Sequence, residues 1–218
     1  MDFEFPDENG KPYKSSGGKM VWNEELEKEI PEGWTLGKME DLVIIEMGQS
    51  PKGDTYNIEG IGTALINGPV EFGNYFTKKV KWTTSPTKLS SKGDLIICVR
   101  GSTTGRFVKS DGEYCLGRGV CSFRAKSSQC YTDQVFKNNI DSLLSLTTGS
   151  TFPNWDRKTL SSFPVVIPKS NVTEHFEQTV SNISNKADYA SMENIKLTEI
   201  KELISAKMTK VEHQKEIA

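Results

Sequence analysis

Residues 172–214 read VTEHFEQTVSNISNKADYASMENIKLTEIKELISAKMTKVEHQ. Neither proline nor glycine occurs from Ser170 onward, and apolar residues recur at helical spacing. With Val180 at heptad position a, the a/d positions are Phe176, Val180, Ile183, Ala187, Ala190, Asn194, Leu197, Lys201, Ile204, Met208 and Val211. Nine of these eleven are apolar, which predicts one long helix with a coiled-coil seam. At 1.5 Å per residue it would run roughly 60 Å. It can bury that seam against a second long helix or by folding back along its own domain. Asn194 and Lys201 at a positions would fix register and orientation at some cost in stability. Ile195, Ile200 and Leu203 widen the stripe and suggest more than one partner helix.

Upstream, residues 34–168 read as strands and turns. The segments LVIIEM (42–47), TALIN (63–67), KKVKW (78–82), DLIICVR (94–100), GVCSFRA (119–125) and FPVVIP (163–168) are short and β-branched or aromatic, with Gly, Pro or Asn bounding most of them. One stretch, 132–146, instead spaces Val135, Phe136, Ile140, Leu143 and Leu144 as a helix, with Thr132 or Asp133 available as its cap. The expected class is therefore α+β: one mixed, strand-rich domain over 34–168, followed by a long helical region over 169–218. Residues 1–33 are rich in Pro, Gly, Ser and Asn and read as a connector, with NEELEKEIPEG offering one or two helical turns before Pro31.

Charge is unevenly distributed. The net charge is −2. Residues 1–33 hold four Lys/Arg against nine Asp/Glu, residues 34–168 sixteen against twelve, and residues 169–218 seven against eight. The middle segment is thus the basic one, through scatter or because it faces phosphates. No apolar run approaches the roughly 20 residues that span a bilayer, and the acidic start MDFEFPDENG lacks the apolar core of a signal peptide. Cys98, Cys115, Cys121 and Cys130 show no CxxC spacing, as expected of buried thiols in a reduced cytoplasmic protein.

The usual catalytic motifs are missing. The two histidines, His175 and His213, both lie on the long helix, which argues against a His-based nucleophile or a zinc site. No GxxxxGK[ST] or GxGxxG loop occurs. Asp156-Arg-Lys158 has the D-x-K form of a metal-dependent nuclease but lacks a Pro-Asp strand before it. What remains is recognition chemistry on glycine-rich loops. GQSPKGDTYN (48–57) offers Gln49 and Lys52, beside Ser50 and Asn57 in the same flexible loop. CVRGSTTGRFVK (98–109) offers Arg100, Ser102, Thr104 and Arg106. LGRGV (116–120) offers Arg118, and GSTFPNWDRK (149–158) offers Asn154 and Lys158. Arg and Lys suit guanine edges and phosphates, and Asn and Gln suit adenine edges. In the last segment Phe152, Pro153 and Trp155 should anchor the loop to the domain.

Taken in order, IPEGW (30–34), GQSPKG (48–53), SKGDLIICVRGSTTG (91–105), LGRGVCSFRA (116–125), GSTFPNWDRKTLSSFPVVIP (149–168) and the long helix resemble the specificity (S) subunit of Type I restriction-modification systems. The resemblance covers nearly the whole chain, including FPDENGKPYKSSGGKMVW, which is similar to the spacer before a target-recognition domain. It implies a non-catalytic subunit whose globular domain reads one half of a split target on double-stranded DNA. It further implies that the long helix is a spacer and docks the methylation (M) subunit, which binds S-adenosylmethionine. A restriction (R) subunit would add ATP- and Mg-dependent translocation and cleavage. The chain has one recognition domain where the family usually has two, so it looks like a half-length form. Two copies would then form a homodimer through antiparallel helices and read an interrupted palindrome. The alternatives are a metal-dependent endonuclease around Asp156 and Lys158, and a helical assembly protein without sequence-specific DNA binding.

Overall fold

The computed structural model describes residues 2–7, 9–147 and 153–216, with side chains up to residue 208. It forms two units, Met1–Glu177 and Gln178–Ala218.

The first unit is built on a buried strand. β1 (Met20–Asn23) and β2 (Lys28–Pro31) form a hairpin. β3 (Thr35–Lys38) and the single turn α1 (Met39–Leu42) lead into β4 (Val43–Met47). Next come β5 (Tyr56–Asn57), β6 (Thr63–Ile66), β7 (Trp82–Thr83), β8 (Leu95–Cys98), β9 (Phe107–Lys109), β10 (Cys115–Leu116) and β11 (Val120–Ala125). Helices α2 (Gln129–Asn138), α3 (Ile140–Ser145) and α4 (Arg157–Ser161) precede β12 (Pro164–Ile167). The central sheet has the order β4-β11-β8-β9 and is antiparallel throughout. A second sheet, β10-β6-β7-β5, is mixed, and β12 pairs with β3.

The run LIIC in β8 has no polar member because both of its faces are covered. Leu95 and Ile97 join the core formed with Phe136, Leu143, Trp155 and Leu160, whereas Ile96 and Cys98 join the core shared with Ile66, Val108, Tyr114 and Leu116. In β11, Cys121 and Phe123 take the first core and Val120 the second. Period-2 geometry thus places one strand between two layers.

Three local expectations are corrected. The stretch 23–33 is a hairpin and not helical turns. Asn23 accepts the Leu26 amide at 2.9 Å, Glu27 takes φ +49°, and the strand carries Ile30 into a cluster with Phe3, Trp34 and Val166. Much of the expected connector is therefore folded, with Phe5 stacked between Trp34 and Tyr13. KKVKW yields a strand only at Trp82–Thr83, because Lys78, Lys79 and Val80 are exposed and form no ladder. The expected helix over 132–146 starts earlier, with the Ser128 hydroxyl accepting the Tyr131 amide at 3.1 Å, and breaks at Asn139, whose side chain bonds the Val135 carbonyl at 2.7 Å. Cys98, Cys115 and Cys121 are buried free thiols and Cys130 is half-buried. Burial pushes the Cys98 thiol up to about 11.

The long helix, α5, runs Ser170–Glu216 without interruption. Its first two turns belong to the first unit. Phe176 packs on the main core with its ring edge-on to Tyr131, and the Glu177 carboxylate accepts from the Ser128 hydroxyl and from the Cys130 amide at 3.0 Å. Phe176, expected on the partner seam, is thus occupied by its own domain. In the second unit Ile183, Leu197, Ile204 and Met208 are each more than half exposed, Ala190 is exposed, and Val180 and Ala187 are half-buried. Val211 lies outside the described side chains. No helix among the described residues is long and apolar enough to cross a membrane.

Candidate nucleic-acid interface

The register of the central sheet decides where the loops meet. β4 ends at Met47 opposite Cys121, and β8 ends at Cys98 opposite Val120. Since neighbours run antiparallel, the loop leaving β4, the loop entering β11 and the loop leaving β8 emerge at one sheet edge. Backbone bonds then join them. The Gly48 amide donates to Val120 at 3.0 Å, Gln49 to Leu116 at 2.9 Å, and Val99 to Gly119 at 2.9 Å. The Arg118 amide donates to the Ser50 hydroxyl at 3.2 Å, and the Thr87 hydroxyl donates to the Gln49 carbonyl. Glycine is needed at these crossings: a Cβ on Gly48 would lie 2.1 Å from the Gly117 oxygen, and one on Gly119 would lie 2.1 Å from the Asn67 oxygen. The side chains of Gln49, Lys52 and Arg118 are exposed there.

The loop after β8 is pinned by the segment that follows the helices. The Gly101 amide donates to the Pro153 carbonyl at 2.9 Å, the Trp155 amide donates to Val99 at 3.0 Å, and Arg100 pairs with Asn154. Gly101 and Gly105 take φ +80° and +91°, which closes the loop. Trp155 is buried between Gly105 and Phe136, and its indole N–H donates to the Leu143 carbonyl at 2.8 Å. It is the anchor expected of it. Phe152 and residues 149–151 lie outside the described residues.

Seven of the nine candidate DNA-facing side chains are exposed: Gln49, Lys52, Arg100, Ser102, Arg106, Arg118 and Lys158. Asn154 is half-buried beside Arg100. Thr104 is corrected. It is buried, and its hydroxyl donates to the carbonyls of Gly101 at 2.8 Å and Pro153 at 3.0 Å, so it holds the loop instead of facing a ligand. Lys158 flanks the cluster. It sits on α4, which the Arg157 guanidinium ties to the Ile45 carbonyl at 2.7 Å. The Asp156 carboxylate caps α4 by accepting the Thr159 amide at 2.7 Å, and this bond holds its pKa below the usual range. No group of three His, Cys, Asp or Glu able to hold a metal occurs among the described residues.

Asn57, read as part of a flexible loop, is instead fixed. Its side chain closes a turn by bonding both backbone groups of Ile61, at 2.9 and 3.0 Å. Of the supports, Ser50 was noted in its loop, but Thr87 and Asn67 were not. They act on partners tens of residues away, and no local pattern marks them.

Residues 31–202 match the family model described as Type I restriction modification DNA specificity domain. A protein of Methanocaldococcus jannaschii assigned by name as the type I restriction enzyme MjaX specificity subunit is 31% identical over 148 residues, covering 64% of this chain and 34% of its own length. Among solved structures, the HsdS subunit from Thermoanaerobacter tengcongensis superposes with a TM-score of 0.60 at 24% identity, over 74% of this chain and 40% of its own. A chain from a study of complex assembly and conformational transition of the type I R-M system gives 0.62 at 24% identity, over 75% and 41%. The chain thus spans about a third to two fifths of the length of these relatives.

Proposed function

The chain belongs to the Type I restriction-modification DNA specificity family, and on that premise we propose that it reads one half of a bipartite duplex target through the loops gathered at the β4-β11-β8 edge. The observation that carries this reading is the convergence of Gln49, Lys52, Arg100, Ser102 and Arg118 on one edge, from loops up to 70 residues apart in sequence. Loops fixed to one another present their donors with little ordering cost on binding. Arg118 and Arg100 would read guanine edges or phosphates, Gln49 an adenine edge, and Lys52 a phosphate.

The chain itself carries out no chemistry in this reading. Its α5 pairs with a second copy and supports a methylation subunit that brings S-adenosylmethionine. A restriction subunit adds ATP and Mg. The half-length chain reads an interrupted palindrome as a homodimer. Co-expression with its methylation subunit and genome-wide mapping of methylated adenines tests the proposal. A two-part symmetric motif is expected, and methylation without any motif refutes it. Purified chain incubated with plasmid and magnesium should leave the plasmid intact; cleavage would return the nuclease reading around Asp156 and Lys158.

A further inference from the structure

The turn joining β5 to β6 carries two isoleucines into solvent. Ile58 is 75% exposed and Ile61 59% exposed. The turn is nevertheless fixed. Asn57 bonds Ile61 twice, Gly60 and Gly62 take φ +85° and +89°, and both flanking strands pair with β7. A Cβ on Gly62 would lie 2.3 Å from the Thr83 oxygen, so the base of the turn is clamped against that strand. Burying neither isoleucine, this construction has no role in the core.

Size and charge select the occupant. Two side chains are far below the roughly 20–30 residues a side of a stable protein interface, but they match the edges of one or two base pairs. The turn continues the candidate interface: the Tyr56 hydroxyl bonds the Pro51 carbonyl at 3.1 Å beside Lys52, and the Lys81 ammonium sits 5.7 Å from the Tyr56 ring centroid. Cations thus flank an apolar tip. Glu59, at the tip, folds back so that its carboxylate accepts the Ile58 amide at 3.0 Å. A carboxylate between two isoleucines is repelled by phosphates but can accept from a cytosine amino group, a donor that the major groove displays, so base edges are where such a tip can rest. The apolar group displayed there is the thymine methyl of the major groove.

We infer that the Asn57-closed turn is a specificity element that enters the major groove and reads thymine methyl groups with Ile58 and Ile61. This rests on the DNA-reading function proposed above. The test uses the full chain with its methylation subunit, on target duplexes in which each thymine in turn is replaced by uracil. One or two of these replacements should weaken binding about fourfold each, the transfer value of one methyl group. The Ile58→Ala/Ile61→Ala variant should bind the thymine duplex correspondingly more weakly and lose sensitivity to uracil. Should the double variant fail to fold, the single Ile58→Ala variant, at a side chain 75% exposed, carries the same test, and uracil sensitivity that persists undiminished in the variant overturns the inference. Uracil-insensitive wild-type binding to a discriminated target overturns the inference while leaving the DNA reading intact, and so does DNA bending by the turn without methyl sensitivity. Failure of the wild type to distinguish target from scrambled duplex overturns both.

Discussion

Charging the seam of α5 with Leu197→Glu and Ile204→Glu should abolish self-association. Ile183, Leu197, Ile200, Leu203, Ile204 and Met208 are more than half exposed and Ile195 nearly half. Fully burying such a side chain is worth about 1.5–3 kcal/mol, so the part still exposed is worth about 1 kcal/mol each. Five residues on each of two helices, the four at a and d with Ile200 beside them, give about 10 kcal/mol, against an association cost of about 4–15 kcal/mol. A cost of about 5 kcal/mol, toward the low end for two preformed helices, leaves about 5 kcal/mol, a dissociation constant on the order of 0.2 mM. Two glutamates per helix remove about 4 kcal/mol of that and bury like charges, a loss of about a thousandfold. Sedimentation equilibrium up to about 0.5 mM spans this affinity. Wild type should pass from monomer to dimer with concentration, while the double variant stays monomeric and keeps its thermal midpoint, because neither residue supports the first unit. A wild type that remains monomeric throughout, with or without its methylation subunit, refutes the reasoning.

Other outcomes follow from particular contacts. Gly119→Ala should destabilise by about 1–3 kcal/mol, the cost of overpacking, because its Cβ meets the Asn67 backbone oxygen, which is held in the strand-following turn; a thermal melt with unchanged midpoint would contradict this. Lys52→Ala should lower the salt slope of DNA binding by about 0.9 if the lysine neutralises one phosphate, read by fluorescence anisotropy across a salt series. Arg124 holds Asp94 through two 3.0 Å bonds, with the Asp94 side chain 2% exposed and the Arg124 side chain 41%. Arg124→Ala, which strands a buried charge, should cost about 3–5 kcal/mol, and Asp94→Asn, which frees a cation to reach water, about 1–3 kcal/mol; equal urea midpoints would refute the asymmetry. Burial holds the Asp133 carboxyl up to about 6, although it accepts from Gln129 at 2.7 Å. The folded state therefore holds this proton more tightly than the unfolded chain. The associated stability is complete below about pH 4 and is lost as pH rises through 6, amounting to up to about 3 kcal/mol at 1.36 kcal/mol per unit. Asp133→Asn should remove this pH dependence and raise the thermal midpoint at pH 7.5.

Elements whose burial follows a simple period were legible in the sequence. Val43–Met47, Thr63–Ile66, Leu95–Cys98, Val120–Ala125 and Pro164–Ile167 all fall within segments read as strands, and α5 within two residues of its expected start. The failures have a common cause. Helical turns were expected at 23–33 because Glu and Lys favour helices locally, but Ile30 gains more from joining Trp34 and, 27 residues away, Phe3. In KKVKW only Trp82 meets neighbouring strands, while Lys78, Lys79 and Val80 belong to none, so β propensity at those three positions has nothing to act on.

The glycine-rich loops of the candidate site could be picked out in the sequence, but not their assembly. Glycine-flanked arginines flag loops that approach something closely, and Gly117-Arg-Gly119 does so. What it approaches is Asn67, and what steadies its neighbour Gln49 is Thr87, contacts set by sheet register and by no feature within either segment. Thr104 shows the converse. In sequence it is one hydroxyl among Ser102, Thr103 and Thr104, all equally able to face a ligand. The bridge from Gly101 to Pro153 makes one of the three an internal strut, and that bridge joins residues about fifty apart. A hydroxyl's role is therefore fixed by which carbonyls the fold brings to it. For the same reason the Ile58 and Ile61 turn was invisible as a recognition element. Its sequence, NIEGIG, is ordinary, and only its closure by Asn57 and its clamping by β7 turn two exposed isoleucines into a rigid apolar tip.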